Sequence, residues 1–184
     1  SIWSSIELAV NFSVELQQDN GTIPWSINNN SQIENDYLLT GCSSILKSIE
    51  CSIALSKILN KTENIEKWKK AHLLLSNAIQ DPDGKFDLIK DRKRFSMDWY
   101  YPILSGCLKQ DEKSYYINKI FKDFYLDGIG IKCVIEEPWV TVAETSEFIL
   151  ALMCAGYDDE AKRLLFDVLN ISDEEGIPFM GWQY

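Results

Sequence analysis

Apolar residues recur every three to four positions along seven stretches of the chain, the pattern of helices that bury one face. No segment shows the sustained alternation of apolar and polar residues that predicts a strand. The sequence therefore predicts an all-α protein. The seven predicted helices are residues 1–17, 41–59, 64–80, 97–108, 112–125, 141–155 and 158–169.

The connections between the predicted helices alternate between long and short. Antiparallel helices joined in this way have all their long connections at one end and all their tight turns at the other. We call the first end the long-loop end. Its connections are residues 19–40, 81–96 and 126–140, and the tight turns lie around Lys61, Lys109 and Gly156.

Charge separates the helices into two classes. Helices that follow long connections contain six charged residues in 46, whereas those that follow tight turns contain fifteen in 43. A helix that is apolar on all sides is buried, and a helix with a charged face lies outside. We therefore predict an α/α toroid, with inner helices wrapped by outer ones, as a single domain over residues 1–184. About three and a half hairpins do not close a ring, so we expect a longer protein or a second chain to complete it.

Composition narrows the function classes. The 184 residues carry a net charge of -10, which argues against nucleic acid as a partner. No apolar run reaches the roughly 18 residues that span a bilayer, so no membrane partner is expected, and the predicted location is cytoplasmic. Five cysteines without a Cys-x-x-Cys pair favour reduced packing thiols, and the oligomeric state stays open. With His72 as the only histidine, neither a metal nor another cofactor is expected.

Two carboxylates, Asp98 and Glu144, are the candidate catalytic residues. Each opens a different predicted inner helix beside aromatic residues, and two carboxylates that face one pocket can divide acid and base roles. Glu144 has an alternative role, because residues 141–144 have the spacing of a capping box. Asp98 has one too, because the helix dipole stabilises an acid near a helix N-terminus. If Pro102 is the first helical residue, however, Asp98 lies in the preceding loop.

Aromatic and basic residues at the long-loop end are the candidate substrate-binding groups. The aromatic residues predict a lined pocket, although loop tryptophans can also serve only to pin long loops to helices. A basic run over residues 85–94 suits an anion site or, alternatively, a solvated loop. The candidate binding residues are Trp25, Trp99, Tyr100, Trp139, Trp182, Arg92 and Arg94.

Three motifs carry a family resemblance. They are LLTGCSSI at residues 38–45, MDWYYPIL at 97–104 and PWVTVAET at 138–145. Together they resemble bacterial proteins described as prenyltransferase or prenyltransferase-like, whose fold class is shared with six-hairpin glycosidases and terpenoid cyclases. The resemblance implies an α/α toroid, with these motifs in the later part of a longer protein.

Three functions remain in competition. The leading hypothesis is an enzyme that acts on a carbohydrate or glycoconjugate, because aromatic faces stack on sugars while carboxylates perform acid and base chemistry. The first alternative is an isoprenoid-diphosphate enzyme in which Arg92 and Arg94 hold the diphosphate. The second is a protein that binds a small molecule or a partner without catalysis.

Overall fold

A computed structural model describes residues 2–30 and 32–183 of the chain. It is mostly helical, as predicted, and each helix begins and ends within a few residues of its predicted bounds. The helices are α1 (Ile2–Glu15), α2 (Leu39–Ile58), α3 (Ile65–Gln80), α4 (Met97–Ser105), α5 (Gln110–Asp123), α6 (Val142–Ala155) and α7 (Asp158–Asn170). In the described part of the chain, no helix is both long and apolar enough to cross a lipid bilayer.

Short strands occur in the connections, where none was predicted. Each has only two or three residues, too few to produce a readable alternation of apolar and polar positions. They are β1 (Tyr125–Leu126), β2 (Gly130–Ile131), β3 (Trp139–Thr141) and β4 (Gly181–Gln183). β1 pairs with β2 and β3 pairs with β4, both antiparallel.

The chain forms two compact units, unit 1 (residues 1–91) and unit 2 (residues 92–184). The prediction that residues 1–184 form one toroid stays a prediction.

In unit 1, α2 packs against both α1 and α3. Side chains join α1 to α3 directly: the fully buried Trp68 donates from Nε1 to Oδ1 of Asn11 at 3.0 Å, and Asn64 donates to Glu7 at 2.7 Å. These pairs advance together along the two helices, so α1 and α3 run parallel.

The chain leaves α1 through a tight turn that is fixed on α3. Gly21 has a φ of 89°, and a Cβ atom there would lie 2.3 Å from the carbonyl oxygen of Leu74. The Gln17 side-chain amide donates to the carbonyl oxygens of both Gly21 and Ala71, at 3.0 and 2.9 Å. Only glycine fits this close approach, so the start of the first long connection has a fixed position on α3.

In unit 2, α4 and α6 pack against each other, with α5 and α7 beside them. At one end the two tight turns meet, because Gln110 donates to the carbonyl oxygen of Ala155 at 3.0 Å. At the other end Phe95, just before α4, pairs with Val134 in the connection that leads to α6. The helices α4 and α6 are therefore parallel, and both begin at the long-loop end of this unit.

Candidate active site

The first turns of α4 and α6 are joined by backbone pairing. The Ser96 N–H donates to the carbonyl oxygen of Cys133 at 3.0 Å, and the Cys133 N–H donates to that of Trp139 at 3.1 Å. The Ile135 N–H donates to the carbonyl oxygen of Arg94 at 3.0 Å. These bonds fix the starts of the two helices relative to each other, so side chains on their first turns hold defined positions.

Asp98 lies in the first turn of α4 and is 5% exposed. The prediction that Pro102 opens the helix and leaves Asp98 in the loop is wrong, because α4 begins at Met97 and contains Pro102. Proline lacks an N–H and so cannot make the usual bond to the Asp98 carbonyl oxygen. The backbone pairing of residues 94–96 sets the start of α4 in spite of this loss. Asp98 therefore lies where the helix dipole favours negative charge.

Glu144 is in the first turn of α6, which Thr141 caps. The Thr141 hydroxyl accepts a hydrogen bond from the Glu144 N–H at 3.1 Å. Burial is the largest cause that raises the pKa of the Cys133 thiol to about 11, and the nearby Glu144 carboxylate adds to the rise through hydrogen bonding and through its charge. The Glu144 backbone N–H thus takes part in the helix cap, while its carboxylate lies near a thiol that stays protonated.

Glu147, one turn further along α6, accepts hydrogen bonds from the hydroxyls of two tyrosines on α4. Tyr100 Oη donates to Oε2 of Glu147 at 2.5 Å, and Tyr101 Oη donates to Oε1 at 3.0 Å. Burial raises the pKa of Tyr100, and the hydrogen bond to Glu147 raises it further. The same causes, in the same order, raise the pKa of Tyr101. Both tyrosines therefore stay protonated and keep Glu147 in one orientation.

We call the residues Tyr100, Tyr101, Cys133, Glu144 and Glu147 the carboxylate cluster. Sequence reasoning did not place Glu147 or Tyr101 among the candidate site residues. The signal was present, since residues three apart share one face of a helix. Two neighbouring carboxylates held by protonated donors form an arrangement suited to acid and base chemistry.

Trp99 and Tyr100, both candidate binding residues, are buried. The Trp99 ring packs on Tyr116 of α5 at 5.6 Å between centroids, and its Nε1 donates to the Lys93 carbonyl oxygen at 2.8 Å. The Lys119 ammonium lies 5.4 Å from the centre of the same ring. Trp99 thus uses its ring in packing, and Tyr100 uses its hydroxyl on Glu147. The contact of Trp99 with Lys93 fits the alternative in which tryptophans fix a loop to the helices, whereas Tyr100 joins α4 to α6.

Trp139 and Trp182 lie on the β3–β4 ladder and are about half exposed, at 46% and 44%. Trp182 is directly opposite Val140 in the register, so these two share a face. Trp139, next to Val140 along the strand, projects from the other face. The two indoles therefore lie on opposite faces of the ladder.

Arg94 forms an ion pair with Glu136, with 3.1 Å between Nη2 and Oε2. Its guanidinium also lies 5.5 Å from the centre of the Phe95 ring. Both groups of the ion pair are largely exposed, so the pair contributes little stability. It does reduce the positive charge that Arg94 would offer to an anion. Arg92 is half-buried.

Trp25 belongs to unit 1 and is 63% exposed. It borders a cleft of about 250 Å³ in that unit. The prediction that Trp25 shares a pocket with Asp98 and Glu144, which belong to unit 2, stays a prediction.

The cysteines correct the prediction of packing thiols in part. Cys42 is buried, but Cys51 and Cys154 are exposed on α2 and α6. Within residues 2–30 and 32–183 no disulfide forms, and no three His, Cys, Asp or Glu side chains are grouped to hold a metal ion.

No protein-family model matches the chain, so the prenyltransferase-like resemblance rests on the three motifs alone. A curated relative does match it. The chain is 35% identical, over all of its 184 residues, to MMP endo-(1,4)-3-O-methyl-alpha-D-mannosidase from Mycolicibacterium hassiacum. The chain spans about half the length of that relative. A protein described as a glycosidase is thus similar to this chain from end to end.

Proposed function

We propose that the chain is part of an α/α-toroid glycosidase that cleaves 1,4-linked, mannose-containing chains internally by carboxylate acid and base chemistry. The observation that carries this proposal is the carboxylate cluster at the N-terminal ends of α4 and α6, where two tyrosine hydroxyls hold Glu147 close to Glu144. The full-length similarity to an endo-mannosidase supports the same class of substrate.

Glycosidases need one carboxyl group to protonate the leaving oxygen and a second to assist the attacking water or act as a nucleophile. We assign these roles to Asp98 and Glu144, which open the two parallel helices of unit 2. Glu147 then adds a fixed negative charge beside Glu144. Such a charge stabilises the positive charge that develops on the sugar ring in the transition state.

The test is hydrolysis of 3-O-methylated and unmethylated α-1,4-mannan oligosaccharides by the full-length natural protein. Products are sized by mass spectrometry, and kcat and KM are measured separately. Asp98→Asn and Glu144→Gln should each lower kcat by about 10²–10⁴-fold, the range for loss of a general acid or base. Asp159→Asn is the matched control, because Asp159 is an exposed acid in the first turn of α7, a helix that follows a tight turn.

Two outcomes would overturn the proposal. One is full turnover by both the Asp98 and the Glu144 variant. The other is binding of the oligosaccharides by the wild-type protein without any cleavage, which would favour the non-catalytic function. If isoprenoid diphosphates, and not sugars, raise the thermal stability of the wild-type protein, the prenyl alternative replaces the proposal.

A further inference from the structure

The cleft beside Trp25 is built by unit 1 residues alone. Its volume of about 250 Å³ is somewhat below the range of about 300–1,000 Å³ typical of drug-sized ligands, so it suits a single ring. Three consecutive residues of the first long connection, the residue that precedes α2 and four residues at the start of α2 line it. They are Ile23, Pro24, Trp25, Leu38, Gly41, Cys42, Ser44 and Ile45.

The wall that carries Trp25 is fixed in place. The Trp25 N–H donates to the Asp36 carbonyl oxygen at 2.8 Å, and the Cys42 thiol donates to the Ile23 carbonyl oxygen at 3.3 Å. Ile23 and Pro24 are buried, whereas the Trp25 indole next to them is mostly exposed. Because the backbone is anchored, only the two side-chain torsions of the indole remain to be ordered on binding, which keeps the entropic cost of contact low.

Gly41 forms the floor of the cleft, in the first turn of α2. A Cβ added there would meet only Leu38 Cβ at 3.6 Å and Trp25 Cε3 at 4.0 Å, which are ordinary contacts. Alanine would therefore fit and would favour the helix, because glycine is a poor helix former. The fold does not need glycine at this position. Its absent side chain keeps open the space beside the Trp25 ring.

The charge of the cleft selects a neutral ligand. None of the residues that line it is a lysine, arginine, aspartate or glutamate. Burial raises the pKa of the Cys42 thiol to about 12, so that group is also uncharged at neutral pH. A diphosphate would find no cation in this lining to replace its water. Ser44 supplies a hydroxyl, and the remaining walls are apolar.

We propose that this cleft is a binding subsite for one neutral sugar ring, with Trp25 as the stacking platform and Gly41 as the residue that admits the ring. The inference rests on the proposed carbohydrate activity and adds a site to it. Each sugar hydroxyl buried against an apolar wall without a partner lowers affinity. A methyl ether removes one such donor, so the subsite should prefer O-methylated sugars to the free hexose.

The experiment measures binding of methyl α-D-mannoside, 3-O-methyl-D-mannose and D-mannose by calorimetry and saturation-transfer NMR. The full-length protein carries Asp98→Asn throughout, the substitution expected to lower kcat, so that turnover does not interfere. Trp25→Ala should weaken binding of the methylated sugars by at least about fivefold, and Trp25→Phe by less. Phe12→Ala is the control, because Phe12 is an exposed aromatic residue on α1 outside the cleft lining.

Substitutions at Gly41 distinguish a binding role from a purely structural one, because they should change stability and affinity in opposite directions. Gly41→Ala should raise Tm by about 1–4 °C while weakening binding, and Gly41→Val should abolish binding. Unchanged affinity in both Trp25→Ala and Gly41→Val would overturn the subsite, while hydrolysis by the wild-type protein would leave the proposed function standing. If farnesol binds in a Trp25-dependent manner and no sugar does, the subsite is an isoprenoid site and the inference is wrong. Loss of hydrolysis in the Asp98 and Glu144 variants tests the proposed function separately.

Discussion

The hydrogen bond between Tyr100 and Glu147 gives the sharpest test of the carboxylate cluster. Tyr100 is fully buried, and its hydroxyl lies 2.5 Å from the Glu147 carboxylate. The substitution Tyr100→Phe removes that hydroxyl and leaves the ring contacts with Tyr101 and Phe148 in place. Any loss therefore reports on the bond and not on packing.

The magnitude at pH 7 follows from the charge of the acceptor. A hydrogen bond to a charged group contributes about 1.5–3 kcal/mol to stability. In the variant, Glu147 is only half-buried and keeps the hydrogen bond from Tyr101. Water and Tyr101 therefore offset part of the lost hydrogen-bond energy. We expect Tyr100→Phe to lower the free energy of unfolding by about 1–2 kcal/mol. Tyr101→Phe should lower the free energy of unfolding by less, because the Tyr101 hydroxyl lies 3.0 Å from Glu147 and its ring is more exposed.

Alkaline pH adds a second signature. In the unfolded chain Tyr100 ionises near its ordinary pKa of 10.0, whereas in the folded protein burial and Glu147 hold its pKa above that value. The folded state therefore keeps a proton that the unfolded state loses. Stability from Tyr100 is fully present below pH 10 and falls above it by about 1.4 kcal/mol per pH unit. Tyr100→Phe should remove this part of the slope.

The assay is urea unfolding followed by circular dichroism at pH 7 and between pH 10 and 11. A double-mutant cycle with Glu147→Gln isolates the coupling between the two side chains. Tyr115→Phe is the control, because Tyr115 is 62% exposed. If Tyr100→Phe matches this control at both pH values, and the cycle gives no coupling energy, the cluster does not hold Glu147 as described.

Two further predictions concern single sites in unit 1. Gly21→Ala should destabilise the protein by about 2–4 kcal/mol, because its Cβ would lie 2.3 Å from Leu74 O at a φ of 89°; Gly84→Ala, at a φ of 69° in open space, should cost only about 1 kcal/mol. If urea unfolding shows that both variants lose the same free energy of unfolding, the close approach of Gly21 to Leu74 is refuted. Cys51 is exposed and should react with a thiol reagent at pH 8, whereas Cys42, whose pKa is raised to about 12 by burial, should react only on unfolding. Fast labelling that Cys42→Ser removes would contradict this burial.

The helices were predictable because apolar residues recur at helical spacing in each of them, even in α1, where Val10 is the buried residue. The turns were also predictable: Gly156 has a φ of 81° and ends α6 where the sequence placed a tight turn. The predicted helix 97–108 begins where α4 does, whereas the alternative start at Pro102 fails, because the pairing of Ser96 with Cys133 overrides the local preference of proline. Long-range backbone pairing of this kind leaves no local signal in a sequence.

The site was less predictable than the fold. Asp98 and Glu144 were chosen as candidates from their predicted positions at helix starts, but the partners of a side chain depend on neighbouring helices. The bond from Tyr100 to Glu147 joins residues 47 positions apart, and no local pattern specifies it. Tryptophans were similarly ambiguous, since the same residue type packs at Trp99 and is exposed at Trp25.

The backbone pairing between the starts of α4 and α6 has a consequence for how this protein can diversify. Residues 136–138 form the tip between the paired residues Ile135 and Trp139, and a hydrogen bond from the Glu137 N–H to the Val134 carbonyl oxygen closes this turn. Insertions at this tip can change length and chemistry without moving either helix. One residue inserted within the first turn of α6 would instead rotate the rest of the helix by about 100° and carry Glu147 away from both tyrosines. The tip can therefore vary in sequence while Glu144 and Glu147 keep their register with α4.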